Sequence, residues 1–165
     1  MKKIKYSNPL SLLNQKGFSL IELIIILVII GIMIAASSSR LKDITTNARV
    51  GASINQITGD IDQAKTISMS MRSQIQIIFN QNNETYTIYK DGILYNDFPG
   101  SENGIVNLLG DDNDAGVDIT SVNLNGSNTL TFDKWGNCLQ SGTIVLNNDR
   151  QIQIKNLTGH WEIIN

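Results

Sequence analysis

Lys16-Gly17-Phe18-Ser19-Leu20-Ile21-Glu22-Leu23 opens the apolar run FSLIELIIILVIIGIMIAA, residues 18–36, and its reading decides the fold. Only Ser19, Glu22 and Gly31 interrupt the run. As a helix its 19 residues rise about 28 Å, close to the thickness of a bilayer's hydrocarbon core. The rest of the chain is polar and rich in Asn and Asp, with apolar residues spaced for one small folded domain. A length of 165 residues allows that domain and an appendage, not two full domains.

Charge divides at the same place. Residues 1–17 hold Lys2, Lys3, Lys5 and Lys16 and no acid, whereas Arg40, Lys42 and Arg49 follow the run. Lysines concentrated ahead of a span favour a cytoplasmic N-terminus and an external C-terminal part. The chain has 13 basic and 15 acidic side chains; without the 4 leader lysines, 9 face 15, a formal charge of −6. Such an acidic remainder argues against general electrostatic binding to nucleic acid or to an anionic membrane surface. Cys138 is the single cysteine, so no intrachain disulfide forms and a buried structural thiol is expected.

A basic leader followed by an apolar run admits three readings: a secretory signal peptide, a simple anchor, or a leader cut ahead of the run. A signal peptide would be cleaved after the run, where Ala35-Ala36-Ser37 supplies small residues. The run is longer than the ~7–15 residues of an ordinary h-region. It also contains Glu22, and a carboxylate inside lipid costs about 2.5–3.5 kcal/mol on insertion scales. A simple anchor has no use for that residue.

The segment from Lys16 to Leu23 resembles the cleavage and methylation motif of type IV prepilins and type II secretion pseudopilins. The resemblance implies that a prepilin peptidase cuts between Gly17 and Phe18 and that the new amine of Phe18 is methylated. It also implies that Glu22, fifth in the mature chain, pairs with the Phe18 ammonium of a neighbouring subunit. A buried carboxylate is expensive alone but not when paired with a cation. Glu22 would then set the axial register between helices while the aliphatic surface packs without specificity.

Beyond Ala36 the residues Ile54, Ile57, Ile61, Ala64, Ile67 and Met71 recur at intervals of three and four, one apolar stripe. Prolines are absent between Pro9 and Pro99, so one helix is expected from about Phe18 to about Arg72. The period then changes to two. Gln74–Ile77 and Thr85–Tyr89 alternate around a turn at Gln81-Asn82-Asn83. Further strands are expected at Ile93–Tyr95, Val117–Leu124, Thr129–Phe132, Thr143–Leu146, Gln151–Lys155 and Trp161–Ile164. Turn chemistry at Asp91-Gly92, Asn125-Gly126, Trp135-Gly136-Asn137, Asn147-Asn148-Asp149 and Thr158-Gly159 separates them. Asp97–Gly116 reads as loop apart from Ile105–Leu109. The expected class is α+β: a pilin-like fold, with a long N-terminal helix packed on an antiparallel β-sheet head. The expected organisation is leader 1–17, transmembrane helix 18–37, amphipathic continuation 38–72 and external β-rich head 73–165.

Phe132, Gly136, Gly142–Leu146, Ile152, Ile154 and Thr158-Gly159 are similar to the closing β-rich block of the GspH/FimT family, minor pseudopilins and minor pilins. Some FimT-type members are implicated in DNA uptake through basic residues in a closing Gly-Arg segment. Here the segment is Gly159-His160-Trp161-Glu162, without the arginine, which argues against DNA binding.

Catalytic constellations are missing from the sequence. There is one histidine, His160, and no nucleophile elbow or phosphate-cradling glycine motif; a Cys138–His160 pair lies in no recognisable motif, and no enzyme activity or cofactor is expected. Asp111-Asp112-Asn113-Asp114 with Gly116 and Asp118 clusters hard oxygen ligands, making Asp112 and Asp114 weak calcium candidates. The closing bidentate Glu of a calcium loop is missing, so a solvated acidic loop with no metal is the preferred reading. The two resemblances imply a minor pseudopilin or minor pilin, expected in the periplasmic pseudopilus for type II protein secretion and held in the inner membrane with its head in the periplasm. The alternative is a minor subunit of a type IV pilus or DNA-uptake pilus. The expected partners are prepilin peptidase and other pseudopilins or minor pilins.

Overall fold

The computed structural model describes residues 17–108 and 117–164, and within the first helix it describes no side chains over 37–43. The chain divides into two compact units, Met1–Leu41 and Lys42–Asn165, and each is taken by itself.

Helix α1, Leu20–Met71, runs through the boundary between the units. Its sequence contains no proline and its glycines Gly31, Gly51 and Gly59 sit where an added Cβ would meet nothing within 4 Å. Nothing therefore interrupts the hydrogen-bond ladder. It starts at Ser19, whose carbonyl accepts from the N–H groups of Glu22 (3.0 Å) and Leu23 (3.1 Å). It stops at Arg72, which adopts φ +51° while the Ser73 N–H donates to Ser68 O at 3.2 Å. That six-to-one closure with a left-handed residue is a Schellman stop.

In the second unit one face of α1 is buried through Val50, Ile54, Ile57, Ile61 and Ala64, continuing through Ser68. The expected stripe is thus present, with one correction. Met71 is exposed, and Ile67 is only partly buried against the core. Three- and four-residue steps from Ala64 reach both Ile67 and Ser68, and the buried line takes Ser68. One turn later Met71 has rotated off the core, where its Sδ accepts from Lys90 Nζ at 3.3 Å.

Among the described residues nine strands follow: β1 (Ile75–Asn80), β2 (Thr85–Lys90), β3 (Ile93–Leu94), β4 (Ile105–Asn107), β5 (Ile119–Leu124), β6 (Thr129–Phe132), β7 (Gly142–Leu146), β8 (Arg150–Ile154) and β9 (Trp161–Ile164). The class is α+β, a helix packed on antiparallel sheet, as the periodicities require. The strands form two sheets. One has the order β3-β2-β1-β6 with β4 also on β2, and the other the order β5-β7-β8-β9. Alternation sends Ile75, Ile77 and Phe79 inward from β1, with Tyr86 and Ile88 from β2. From the second sheet Ile144, Leu146, Ile152 and Ile154 join the same core as the helix residues.

The two sheets meet at Cys138. It bridges antiparallel to Phe132 at the end of β6 and to Leu157 beyond β8. Its segment also covers the outer edge of β6, since Leu139 N–H donates to Thr131 O (2.9 Å) and Thr131 N–H to Gln140 Oε1 (2.7 Å). This closes a sheet edge that would otherwise present unpaired backbone groups.

Candidate functional site

The residues singled out by the sequence fall at the N-terminal end of α1. Gly17 is exposed, with nothing within 4 Å of where a Cβ would stand, and Phe18 is 76% exposed. Both precede the first helical residue, Leu20. The scissile peptide of the expected cleavage is therefore in non-helical backbone, which a peptidase can accommodate without unwinding a turn. Ser19 stands at the N-cap and Glu22 three residues later, the spacing of a capping box. Sequence reasoning missed that pattern, although Ser-x-x-Glu ahead of an apolar run was there to read. A carboxylate in the first turn also interacts favourably with the positive end of the helix dipole. Glu22 is exposed, and among the described residues no hydrogen bond or ion pair engages its carboxylate.

Every residue from Leu20 to Ala36 is exposed. Leu20, Ile21, Leu23, Ile24, Ile25 and Ile26 are each at least 40% exposed, and the pattern continues to Ile34 at 63%. A helix apolar on all sides is one that a bilayer or other helices must surround. Among the described residues no helix is long and apolar enough to cross a membrane. The apolar part of α1 with described side chains, Leu20 to Ala36, rises about 25 Å.

The remaining candidates separate. Asp112 and Asp114 lie outside the described residues, as does the leader ahead of Gly17. Asp118 is described: its side chain accepts from Thr120 Oγ1 at 3.0 Å. Among the described residues no group of His, Cys, Asp and Glu is placed to hold a metal ion. Cys138 and His160 do not form a pair. The thiol is buried and its Sγ donates to Gln140 O at 3.1 Å, while His160 is exposed. Burial pushes the Cys138 thiol above its ordinary value, against smaller opposing effects of the Gln140 backbone and Lys65. It is a structural thiol in an apolar site.

Gly159 of the departed closing segment has φ +60°, and a Cβ there would stand 2.7 Å from Phe132 Cε1. Beside it Lys65 Nζ donates to Thr158 O at 2.6 Å, fixing the turn to the helix. This segment serves packing, and Trp161 packs against the core.

Residues 12–38 match the family model for the prokaryotic N-terminal methylation motif. No curated protein and no solved structure matches the chain. The motif supports a type IV pilin-like subunit, a structural role in an assembly. It implies processing by a prepilin peptidase, an N-terminal membrane anchor and assembly with other pilins.

Proposed function

We propose that this chain is a minor subunit of the GspH/FimT kind, built into the periplasmic pseudopilus of a type II secretion system. The observation that carries the reading is the methylation motif over residues 12–38 joined to a helix whose apolar side chains are exposed from Leu20 to Ile34. Residues 1–17 are removed after Gly17. Phe18 becomes the methylated N-terminus, and residues 18–37 span the inner membrane. Residues 38–72 continue the helix into the head, which lies in the periplasm. A chain of this kind does its work by packing against its neighbours, with the head offering contacts to other subunits or to secreted cargo.

Mass spectrometry of the mature protein tests the processing. Phe18 is expected as the first residue, carrying one N-methyl group. Ser37 in its place would identify a signal peptide and end the reading. Deletion of the gene distinguishes the assembly: loss of protein secretion with pilus functions intact supports the pseudopilus, and the reverse supports a type IV or DNA-uptake pilus.

A further inference from the structure

The outer face of the first sheet carries a cleft of about 290 Å³ beside the β1–β2 turn. Four amides line it, Asn80, Gln81, Asn82 and Asn128, with Thr87 and Tyr89 rising from the neighbouring strand. Ile78 lies opposite Thr87 in the strand register and also lines the cleft. No Asp, Glu, Lys or Arg lines it. Two other clefts differ in this respect: one is lined by Arg72, Asp91, Asp133 and Lys134, the other includes Glu102.

Two of the amides are fixed by bonds to the backbone. Asn80 Oδ1 accepts from the Asn82 N–H at 3.0 Å, which leaves its Nδ2 as a donor. Asn128 Nδ2 donates to Phe79 O at 2.6 Å, and Phe79 N–H returns a bond to Asn128 O at 3.0 Å. That leaves Asn128 Oδ1 as an acceptor, with Thr129 Oγ1 donating to it at 3.4 Å. The lining residues thus keep a donor on Asn80 and an acceptor on Asn128, together with the amides of Gln81 and Asn82 and the hydroxyls of Thr87 and Tyr89. Amides and hydroxyls both donate and accept, unlike carboxylates or ammonium groups. Tyr89 adds an aromatic surface with a polar tip.

We infer that this cleft binds a neutral saccharide. A polyol presents the same dual donors and acceptors at every hydroxyl, and its C–H faces suit Tyr89 and Ile78. The lining has no cation to favour a phosphate or carboxylate and no carboxylate, His or Cys to favour a metal, and an apolar ligand would leave the amides unpaired. The volume fits one or two sugar rings. The inference goes beyond assembly through the helix and does not depend on which fibre the subunit joins.

The test uses the full processed chain in phospholipid nanodiscs, which carry no glycoside detergent. Saturation-transfer NMR is run with N-acetylglucosamine and its dimer, glucose, maltose, sialyllactose, and an Asn/Ser-rich peptide. At least one neutral sugar is expected to bind saturably, with Kd in about the millimolar range. Preference for the amino sugars identifies a wall-type glycan as the source; preference for the hexoses identifies a surface or secreted polysaccharide. Asn80→Asp keeps the acceptor for the Asn82 N–H but turns the donor of the cleft into a charged acceptor, and is expected to weaken binding at least about tenfold. Thr87→Val, which adds no charge, is expected to weaken it as well. The proposal is overturned if no neutral sugar binds at about 20 mM, a concentration well above that range. Stronger binding of sialyllactose or the peptide, or unchanged binding in both variants, overturns it equally.

Discussion

Tyr86 Oη donates a 2.5 Å hydrogen bond to Oδ2 of Asp60, and both residues are buried. The bond ties strand β2 to helix α1 across the core of the second unit. Tyr86 also faces Phe79 across the β1–β2 register, with ring centroids 5.4 Å apart. One side chain thus joins a cross-strand aromatic pair to a polar anchor on the helix. Beside the apolar packing and the Lys65–Thr158 bond, this buried directional bond helps fix the position of the helix along the sheet.

The buried core begins at Val50, so a chain lacking residues 1–44 keeps all of it. That fragment is expected to be soluble and to melt cooperatively. A fragment without a cooperative transition would show that the head depends on the N-terminal segment. In the same fragment Tyr86→Phe removes the hydroxyl that donates to Asp60 Oδ2, which among the described residues leaves that buried acceptor unpaired. Such a loss costs about 1–3 kcal/mol. Urea titration should show the midpoint falling with the slope unchanged; an unmoved midpoint would mean that water replaces the hydroxyl at no cost.

The same pair gives the head a pH dependence of definite sign. Burial raises the Asp60 carboxyl above its ordinary value, and the Tyr86 hydrogen bond opposes this only in part. Between the unfolded value, about 3.9, and the raised folded value, the native state binds more protons than the unfolded chain. Stability contributed by this group is then fully present below the unfolded value and is lost as pH rises through the folded one. Glu84 is raised in the same sense, chiefly by burial, so the comparison must isolate Asp60. Asp60→Asn removes its titration. The stability of the parent head relative to Asp60→Asn is expected to increase as pH falls from 7 toward about 4. A difference that stays flat, or shrinks on acidification, contradicts the assignment.

Gly142 opens β7 with φ +153°, and a Cβ there would lie 1.9 Å from Asn123 O. The obstacle is backbone of the paired strand, since Leu124 stands opposite Gly142 in the register. Gly142→Ala must push β5 and β7 apart and is expected to lower stability by several kcal/mol or abolish folding. Gly126→Ala is the control: its φ is +83° but nothing lies within 4 Å, so only the backbone cost of about 1–2 kcal/mol applies. Equal thermal shifts for the two variants would show that the close approach is relieved cheaply.

Much of this fold is legible in residue periodicity. The three-four spacing from Ile54 to Ala64 and the two-residue alternation of Ile75, Ile77 and Phe79 each map directly onto buried faces. The phase slip within Val117–Leu124 was not part of that reading. Ile119 and Leu124 are both buried although five residues apart, because the register shifts between Ile119 and Ser121. Reading the segment as one strand placed its start two residues early, at Val117 in place of Ile119. The division into two sheets was not legible, since alternation fixes which face is buried and not which strand lies alongside. Cys138 was legible as a buried thiol, but not its bridges to Phe132 and Leu157, which join residues distant in sequence. At the N-terminus the motif was plain, and Ser19 at the N-cap position with Glu22 three residues later was there to read as well.

Two roles proposed for Glu22 are to be separated: a first-turn carboxylate that favours the helix N-terminus, and a charge that would pair with a neighbour's Phe18 ammonium. Glu22→Val removes both and also removes the cost of a carboxylate in lipid, so insertion should be at least as efficient as in the parent. Leader cleavage should persist, because it is assigned to Gly17 and Phe18. Glu22→Gln is the discriminating change. A glutamine at the third helical position keeps the capping-box spacing from Ser19 but carries no charge. If capping were the function, Glu22→Gln would assemble normally and Glu22→Val would show the defect. The pairing hypothesis expects both to fail, with normal membrane levels and normal processing. The measurement is disulfide crosslinking between single cysteines placed on adjacent helices, read beside the mass of the mature chain. Loss of crosslinks in both variants supports a charge that sets register between subunits. Parent-like crosslinking in Glu22→Gln sinks the ion pair and leaves the cap as the reason for a glutamate at this position.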